Sequence, residues 1–426
     1  MELPEAETPD TEGTLPPSRH RDELRDILSL ALNGGQLMLE NGASTARVEE
    51  TVVAMAVGLG ADSVDVFATP TGIIASAHAE GEHRTKLVRI LDTTLLLGRV
   101  SDVLDLSRKV VKHKLSRDEL RRGLAEIATK PRIYGHWTVT LAVVMGCCTF
   151  AALIGAGCYE LGVCAIASAI AQQLRVLLIR MRINRLLNTG LVAAAASGIA
   201  LLGTMQQGTL PNASAVISSV LFLAPGVVMM SAVLDLFGGD MVAGVSRAAS
   251  ALMTLVAIAV GMWAVLLLGG ITALPSAAVA PPLLPSLGLA FLETIAFAIV
   301  FDAPRRSLLP GGLIGIAMYA VHLGLLIYNA PMEVAMFGAG LVVGILGELF
   351  ARIFRLPSTI FTIPGFIAVV PGVLAFRTVL AFVMNDYSLG LTSLVQAFLY
   401  TGALAAGLGT VELMMRTWKQ KHAFML

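Results

Sequence analysis

Beyond His136 the chain falls into apolar runs of about twenty residues, the length at which a helix spans a bilayer, separated by short polar connections. Ten runs are expected, at approximately 137–157, 160–180, 188–206, 213–236, 246–269, 284–301, 308–328, 332–351, 358–383 and 389–413. The pattern before His136 differs. Apolar residues from Asp22 to Glu40 recur at helical spacing, and Ser44 is placed to cap a second helix from Thr45 to Leu59. Ser63–Thr69 and Ile73–His78 alternate like strands around the turn at Pro70-Thr71-Gly72, and Lys86–Ile90 can add a third. Helices around Arg99–His113 and Ser116–Thr129 complete an α+β unit before Pro131.

Two of the apolar runs are copies of each other, broken at the same place. Pro225-Gly226-Val227 recurs as Pro371-Gly372-Val373, 146 residues later, and the same offset pairs Leu210-Pro211 with Leu356-Pro357, Asp240 with Asp386, Gly244 with Gly390 and Gly261 with Gly407. Proline has no N–H to donate, and glycine lets the adjoining turn unwind. Backbone freed in this way inside hydrocarbon must face a ligand, a cavity or another helix. Matching broken spans in two halves of a chain point to a transporter's binding site.

Charge sets the direction of the spans. Lys and Arg occupy alternate connections: Arg180, Arg182 and Arg185; Arg247; Arg305 and Arg306; Arg352 and Arg355; then Arg416, Lys419 and Lys421. The connections near 158, 207–212, 270–283, 329–331 and 384–388 carry none. The positive-inside rule then places both termini in the cytoplasm. Five spans per repeat turn the second copy upside down. The expected fold is a polytopic α-helical membrane protein of ten transmembrane helices, arranged as two inverted five-helix repeats with an N-terminal cytoplasmic α+β domain. Its expected parts are a disordered tail (1–19), the α+β domain (20–135), repeat one (136–270), a linker (271–283), repeat two (284–415) and a cytoplasmic tail (416–426).

Composition agrees: 56% of the residues are hydrophobic and 14% charged, against about 25% charged in soluble proteins, and mean hydropathy is +0.77. Zero formal net charge gives no sign of nucleic acid as a partner. Cys147, Cys148, Cys158 and Cys164 match neither a metal spacing nor a disulfide framework and read as helix-packing residues. No cofactor or metal site is expected, and no phosphate-binding loop suggests ATP. The acidic, Pro-rich start, Met1 to Pro17, does not read as a cleavable signal peptide. An inner-membrane, multi-pass location follows, with lipid and protons as partners and a homo-oligomer left open.

Several polar residues inside apolar runs are candidates for chemistry. Arg377, six residues past Pro371, can hold a substrate carboxylate bidentately or form a structural ion pair. Glu293, in the middle of its run, is the candidate proton carrier or the partner that neutralises Arg377. His322 can relay protons or simply fill a packed face. Asp235 is a candidate for the substrate ammonium, and Asp240 and Asp386, at helix ends, are candidate gates or ordinary caps. Gln172 and Gln173, with Arg175, can line a cavity or join helices by hydrogen bonds. Gly155, Gly157, Gly340, Gly344 and Gly347 suit close helix packing. With Pro225, Gly226, Pro371 and Gly372, Asp235 and Arg377 complete the expected substrate-binding set. In the N-terminal unit Ser44, Thr45, Asp65 and His78 include the residue types of a hydrolytic site without its spacing, and capping explains Ser44 and Thr45 more cheaply.

Asn41-Gly42-Ala43-Ser44, Arg47-Val48-Glu49, Asp65-Val66-Phe67 with Thr69-Pro70-Thr71-Gly72, Leu223-Ala224-Pro225-Gly226, Asp235-Leu236-Phe237, Phe301-Asp302-Ala303-Pro304-Arg305 and Val370-Pro371-Gly372 together carry a resemblance to the threonine/serine exporter family. It covers nearly the whole chain from about residue 20. It implies export of threonine or serine driven by the proton motive force. Some relatives divide this architecture into two subunits and are associated with succinate export, so a dicarboxylate exporter is the alternative. A membrane-anchored hydrolase is the alternative of another class.

Overall fold

The structure is a computed structural model and describes residues 19–79, 81–205, 213–269, 282–370 and 372–423. Helices α1 (Arg19–Glu40) and α2 (Thr45–Gly58) come first. Ser44 starts α2, its side chain accepting a hydrogen bond from Arg47 N–H, which satisfies one of the four free donors of a helix start. Strands β1 (Ser63–Thr69), β2 (Gly72–Ala79) and β3 (Glu82–Arg89) form one antiparallel sheet with β2 central, Ser63 opposite His78 and Gly72 opposite Arg89. On β2, Ile73, Ala75 and Ala77 are buried. Their alternation turns one face of the sheet onto α1, which packs on β2 and β3. Helices α3 (Leu97–Val111) and α4 (Arg117–Thr129) close the same core, α4 opening on a capping box between Ser116 and Glu119.

Twelve helices follow: α5 (His136–Leu153), α6 (Cys158–Arg180), α7 (Arg185–Met205), α8 (Ala213–Ser219), α9 (Gly226–Gly238), α10 (Met241–Leu268), α11 (Leu283–Val300), α12 (Leu308–Ile327), α13 (Met332–Phe354), α14 (Thr359–Gly365), α15 (Gly372–Val383) and α16 (Tyr387–Ala423). Among the described residues nine helices are long and apolar enough to cross a membrane, and Thr359–Val369 is a shorter apolar helix. The expected run 358–383 is thus divided, ahead of Gly372, into two short pieces. The run 213–236 is divided likewise, with a 3₁₀ turn at Leu221–Leu223 before Pro225. Helix α16 continues to Ala423, so the tail expected from 416 begins inside a helix; no Gly or Pro interrupts that stretch. The expected tail 1–19 (save Arg19, which opens α1) and most of the linker 271–283 lie outside the described residues.

The 146-residue offset governs structure as well as sequence. It carries Ala213–Ser219 onto Thr359–Gly365, the 3₁₀ turn Leu221–Leu223 onto the 3₁₀ turn Ile367–Val369, and the starts of α9 and α10 onto those of α15 and α16. Packing repeats too. Helix α7 packs on α10 as α13 packs on α16. A Cβ built on Gly261 would lie 2.2 Å from the Gly190 carbonyl oxygen, and one on its equivalent Gly407 would lie 2.2 Å from the Phe337 carbonyl oxygen. Both crossings therefore bring backbone against backbone. Gly340 behaves as expected for close packing, 2.2 Å from the Leu404 carbonyl oxygen by the same measure. Gly155 does not: its φ of 89° makes it the left-handed turn that ends α5.

Candidate functional site

The two breaks meet. A Cβ on Gly226 would lie 3.0 Å from the Val370 side chain, and one on Gly372 would lie 3.6 Å from the Ala224 side chain. Ala224 and Val370 are equivalent at the repeat offset, as are Gly226 and Gly372. The contact is therefore reciprocal, as across a two-fold axis. Ala224 and Val370 share one extended conformation, with φ, ψ of −61°, 131° and −60°, 127°. The broken helices also cross over: α9 packs on α16 as well as α10, and α15 packs on α10 as well as α16. Pro225 stands at the start of α9; Pro371 lies outside the described residues.

Glu293 lies on α11 with no exposed surface, and neither carboxylate oxygen has a hydrogen-bond partner among the described residues. It is close enough to act electrostatically on Cys147 of α5, its own equivalent at the repeat offset, and on Tyr319 of α12. The Tyr319 ring lies 5.9 Å from that of His322, whose Nδ1 is buried without a partner among the described residues. Tyr319 thus neighbours both the carboxylate and the imidazole. Arg377 is not the neutralising partner of Glu293: its side chain is exposed on α15.

The structure gives the three aspartates other company. Asp235 is buried and forms an ion pair with Arg247 of α10, their side chains 5% and 11% exposed. Thr45 Oγ1 donates towards Asp235 Oδ1 and Asp240 Oδ2, each at 3.4 Å, and Arg247 donates to the Ala43 carbonyl at 3.3 Å. These contacts join the start of α2 to the corner between α9 and α10. Asp386 caps α16 by accepting from Leu389 N–H at 3.0 Å. Its equivalent Asp240 makes no cap hydrogen bond and faces Thr45 instead.

A second junction ties the N-terminal part to the other half. Asp302 sits at the end of α11 with a left-handed φ of 56°. Its Oδ1 accepts from Ile133 N–H at 2.9 Å and Tyr134 N–H at 3.4 Å, and its carbonyl accepts from Gly98 N–H at 3.1 Å. The Tyr134 phenol donates to the Ala303 carbonyl at 2.9 Å, and burial, followed by nearby Asp302, pushes its pKa up to about 12. Glu49, on α2, accepts from Ala68 N–H at 2.8 Å. Burial, with a smaller contribution from Asp240, holds its carboxyl above the usual range. In the N-terminal part, Ser44 is a helix cap, as expected, while Asp65 and His78 lie on β1 and β2 opposite Ser76 and Ser63.

Sequence reasoning missed Thr45, Arg247 and Asp302 as junction residues. Arg247 registered only as a loop charge, and Asp302 only within a family motif. Residues 29–269 match the profile of the threonine/serine exporter family. The chain belongs to this family. A second profile, described as Threonine/Serine exporter, ThrE, matches residues 286–414 of the exporter. A "Probable threonine/serine exporter" of Mycobacterium tuberculosis is 25% identical over 91% of this chain and 75% of that protein. A "Probable succinate transporter subunit" of Escherichia coli K12 is 28% identical over 59% of this chain and 97% of that protein, and one of Klebsiella aerogenes is 29% identical over 57% and 96%. No solved structure matches. The chain is thus a multi-helix membrane protein of an exporter family.

Proposed function

We propose that this exporter moves threonine or serine out of the cytoplasm by alternating access of two inverted five-helix repeats, driven by the proton motive force. In this reading the chain is a ten-span inner-membrane protein with both termini, and an α+β domain, in the cytoplasm. The observation that carries it is the buried Glu293 carboxylate, unpartnered among the described residues, in the layer of helices packed on the reciprocally touching breaks. A charge there is unfavourable unless a proton, a substrate ammonium or another cation meets it. Carrying a proton in one direction and yielding to substrate in the other is what coupling requires, and Tyr319 and His322 extend a path from it. The reciprocal contact of the breaks supports inversion, because rocking one repeat over the other exchanges equivalent environments. Arg377, exposed on α15, is a carboxylate contact on the access side of the breaks, and Asp240 and Asp386 gate opposite ends.

The test is flux in proteoliposomes under an imposed pH gradient. Wild-type protein accumulates labelled threonine against its gradient, whereas Glu293→Gln retains threonine exchange but loses proton-driven accumulation. Full accumulation by Glu293→Gln overturns the coupling role. The likeness to succinate transporter subunits supports a second reading, a dicarboxylate exporter, which unlabelled succinate competing better than serine in this assay would establish.

A further inference from the structure

The two breaks share a backbone, but their surroundings do not share a chemistry. Around the first break stand Ser168, Gln172 and Arg175 on α6 and Ser218 on α8. Their equivalents 146 residues on are Ile314, Met318, Val321 and Pro364. One copy is polar at every one of these positions and the other apolar. Ser168 donates to the Cys164 carbonyl at 2.7 Å, but two others of the polar set lack partners. Gln172 Oε1 and Ser218 Oγ are buried with none among the described residues, as are both oxygens of Glu293. Buried polar atoms are paired in all but a few cases, so three unpaired groups on α6, α8 and α11, which all pack on α5, call for a ligand or water between them.

Arg175 adds the cation. Its guanidinium lies over the Phe222 ring, 5.8 Å from the centroid, in the 3₁₀ turn that precedes Pro225. The charged groups that bear on it are Arg185 and Arg132, both cations, so the local potential favours an anion. Helix α6 packs on α8, and Cys147 connects the set to Glu293, lying beside Glu293, Ser168 and the Phe222 backbone.

We infer that the binding site is one-sided. The first half supplies a carboxylate site at Arg175 and neutral hydrogen-bonding groups at Gln172 and Ser218. The second half supplies Glu293, reaching across from α11 to meet an ammonium, and keeps the exposed Arg377 outside this buried set. A fork-shaped guanidinium binds a carboxylate through two parallel hydrogen bonds, so the set matches a zwitterion with a short polar side chain. This assignment rests on the exporter reading and deepens it, naming Arg175 as the cation at the breaks.

Equilibrium binding of labelled L-threonine to the full-length protein in nanodiscs tests the site, with flux run in parallel. Arg175→Gln and Gln172→Met each weaken binding at least tenfold and Ser218→Ala several-fold, in protein that remains monodisperse, while Arg175→Lys recovers part of the loss. Substitutions at the opposite positions, Met318→Leu and Val321→Ala, leave binding within about twofold. Wild-type affinity in Arg175→Gln and Gln172→Met, or no wild-type binding of threonine, serine or succinate, overturns the site and assigns the unpaired atoms to water. Binding that the variants abolish without any wild-type flux sinks the export reading and leaves the site standing.

Discussion

Ala224 touches the position of Gly372, and this contact places the interrupted spans of the two halves side by side. A Cβ at 372 would lie 3.6 Å from the Ala224 Cβ, within the range that a disulfide requires. In a background lacking the four native cysteines, Ala224→Cys with Gly372→Cys forms a disulfide on mild oxidation. Flux then falls at least tenfold and recovers on reduction. Failure to cross-link in folded protein contradicts the contact.

The ion pair of Asp235 and Arg247 is buried, so removing one partner leaves an unmatched charge. Asp235→Asn or Arg247→Met each lowers stability by about 3–5 kcal/mol, while the double substitution restores most of it. Thermal unfolding in detergent across the four proteins measures the cycle. Thr45→Val produces a smaller loss, about 1 kcal/mol, because it removes only long hydrogen bonds.

Gly261 and Gly407 are expected to be intolerant to the same degree. An added methyl would sit 2.2 Å from a carbonyl oxygen at either site, and backbone there cannot yield as a side chain end can. Gly261→Ala and Gly407→Ala each cost about 1–3 kcal/mol or more, read as lost thermal stability and lower yield of monodisperse protein. Gly402→Ala, where nothing lies within 4 Å, is the neutral control.

Glu49 makes the junction between α2 and the α9–α10 corner sensitive to pH. Its folded carboxyl holds its proton more firmly than the unfolded one, chiefly because it is buried. The folded state therefore binds more protons just above the ordinary carboxylate value, and this contribution to stability is lost as pH rises through the folded value. Glu49→Gln keeps an acceptor for Ala68 N–H and flattens that part of the stability curve, measured as melting temperature between about pH 4 and 7. An unchanged slope removes Glu49 from the account.

Much of the fold was legible locally. Ser44 announced α2, the turn at Thr71-Gly72 announced the hairpin, and the repeated Pro-Gly pair marked both breaks, because each signal depends on a few adjacent residues. The pairing of Asp235 was not legible, since one contact, Thr45, lies 190 residues away and the other, Arg247, also satisfied the loop-charge rule. Arg377 attracted notice as a charge in an apolar run, yet exposure depends on which face of α15 is covered, and α15 is too short for a clear stripe. Glu293 was marked by the same rule. Its burial without a partner emerged only from the arrangement of α5, α11 and α12 around it.

The N-terminal sheet and its helices are anchored at Asp235 and Asp240 in one half and at Asp302 in the other. A body pinned to two parts cannot follow both when they shift against each other. Any rocking of the repeats must therefore strain or release one anchorage, with an angular change passed outward to the sheet. A fluorophore pair bridging exposed Leu87 on β3 and exposed Leu309 on α12 would register each turnover without touching a residue that meets the substrate.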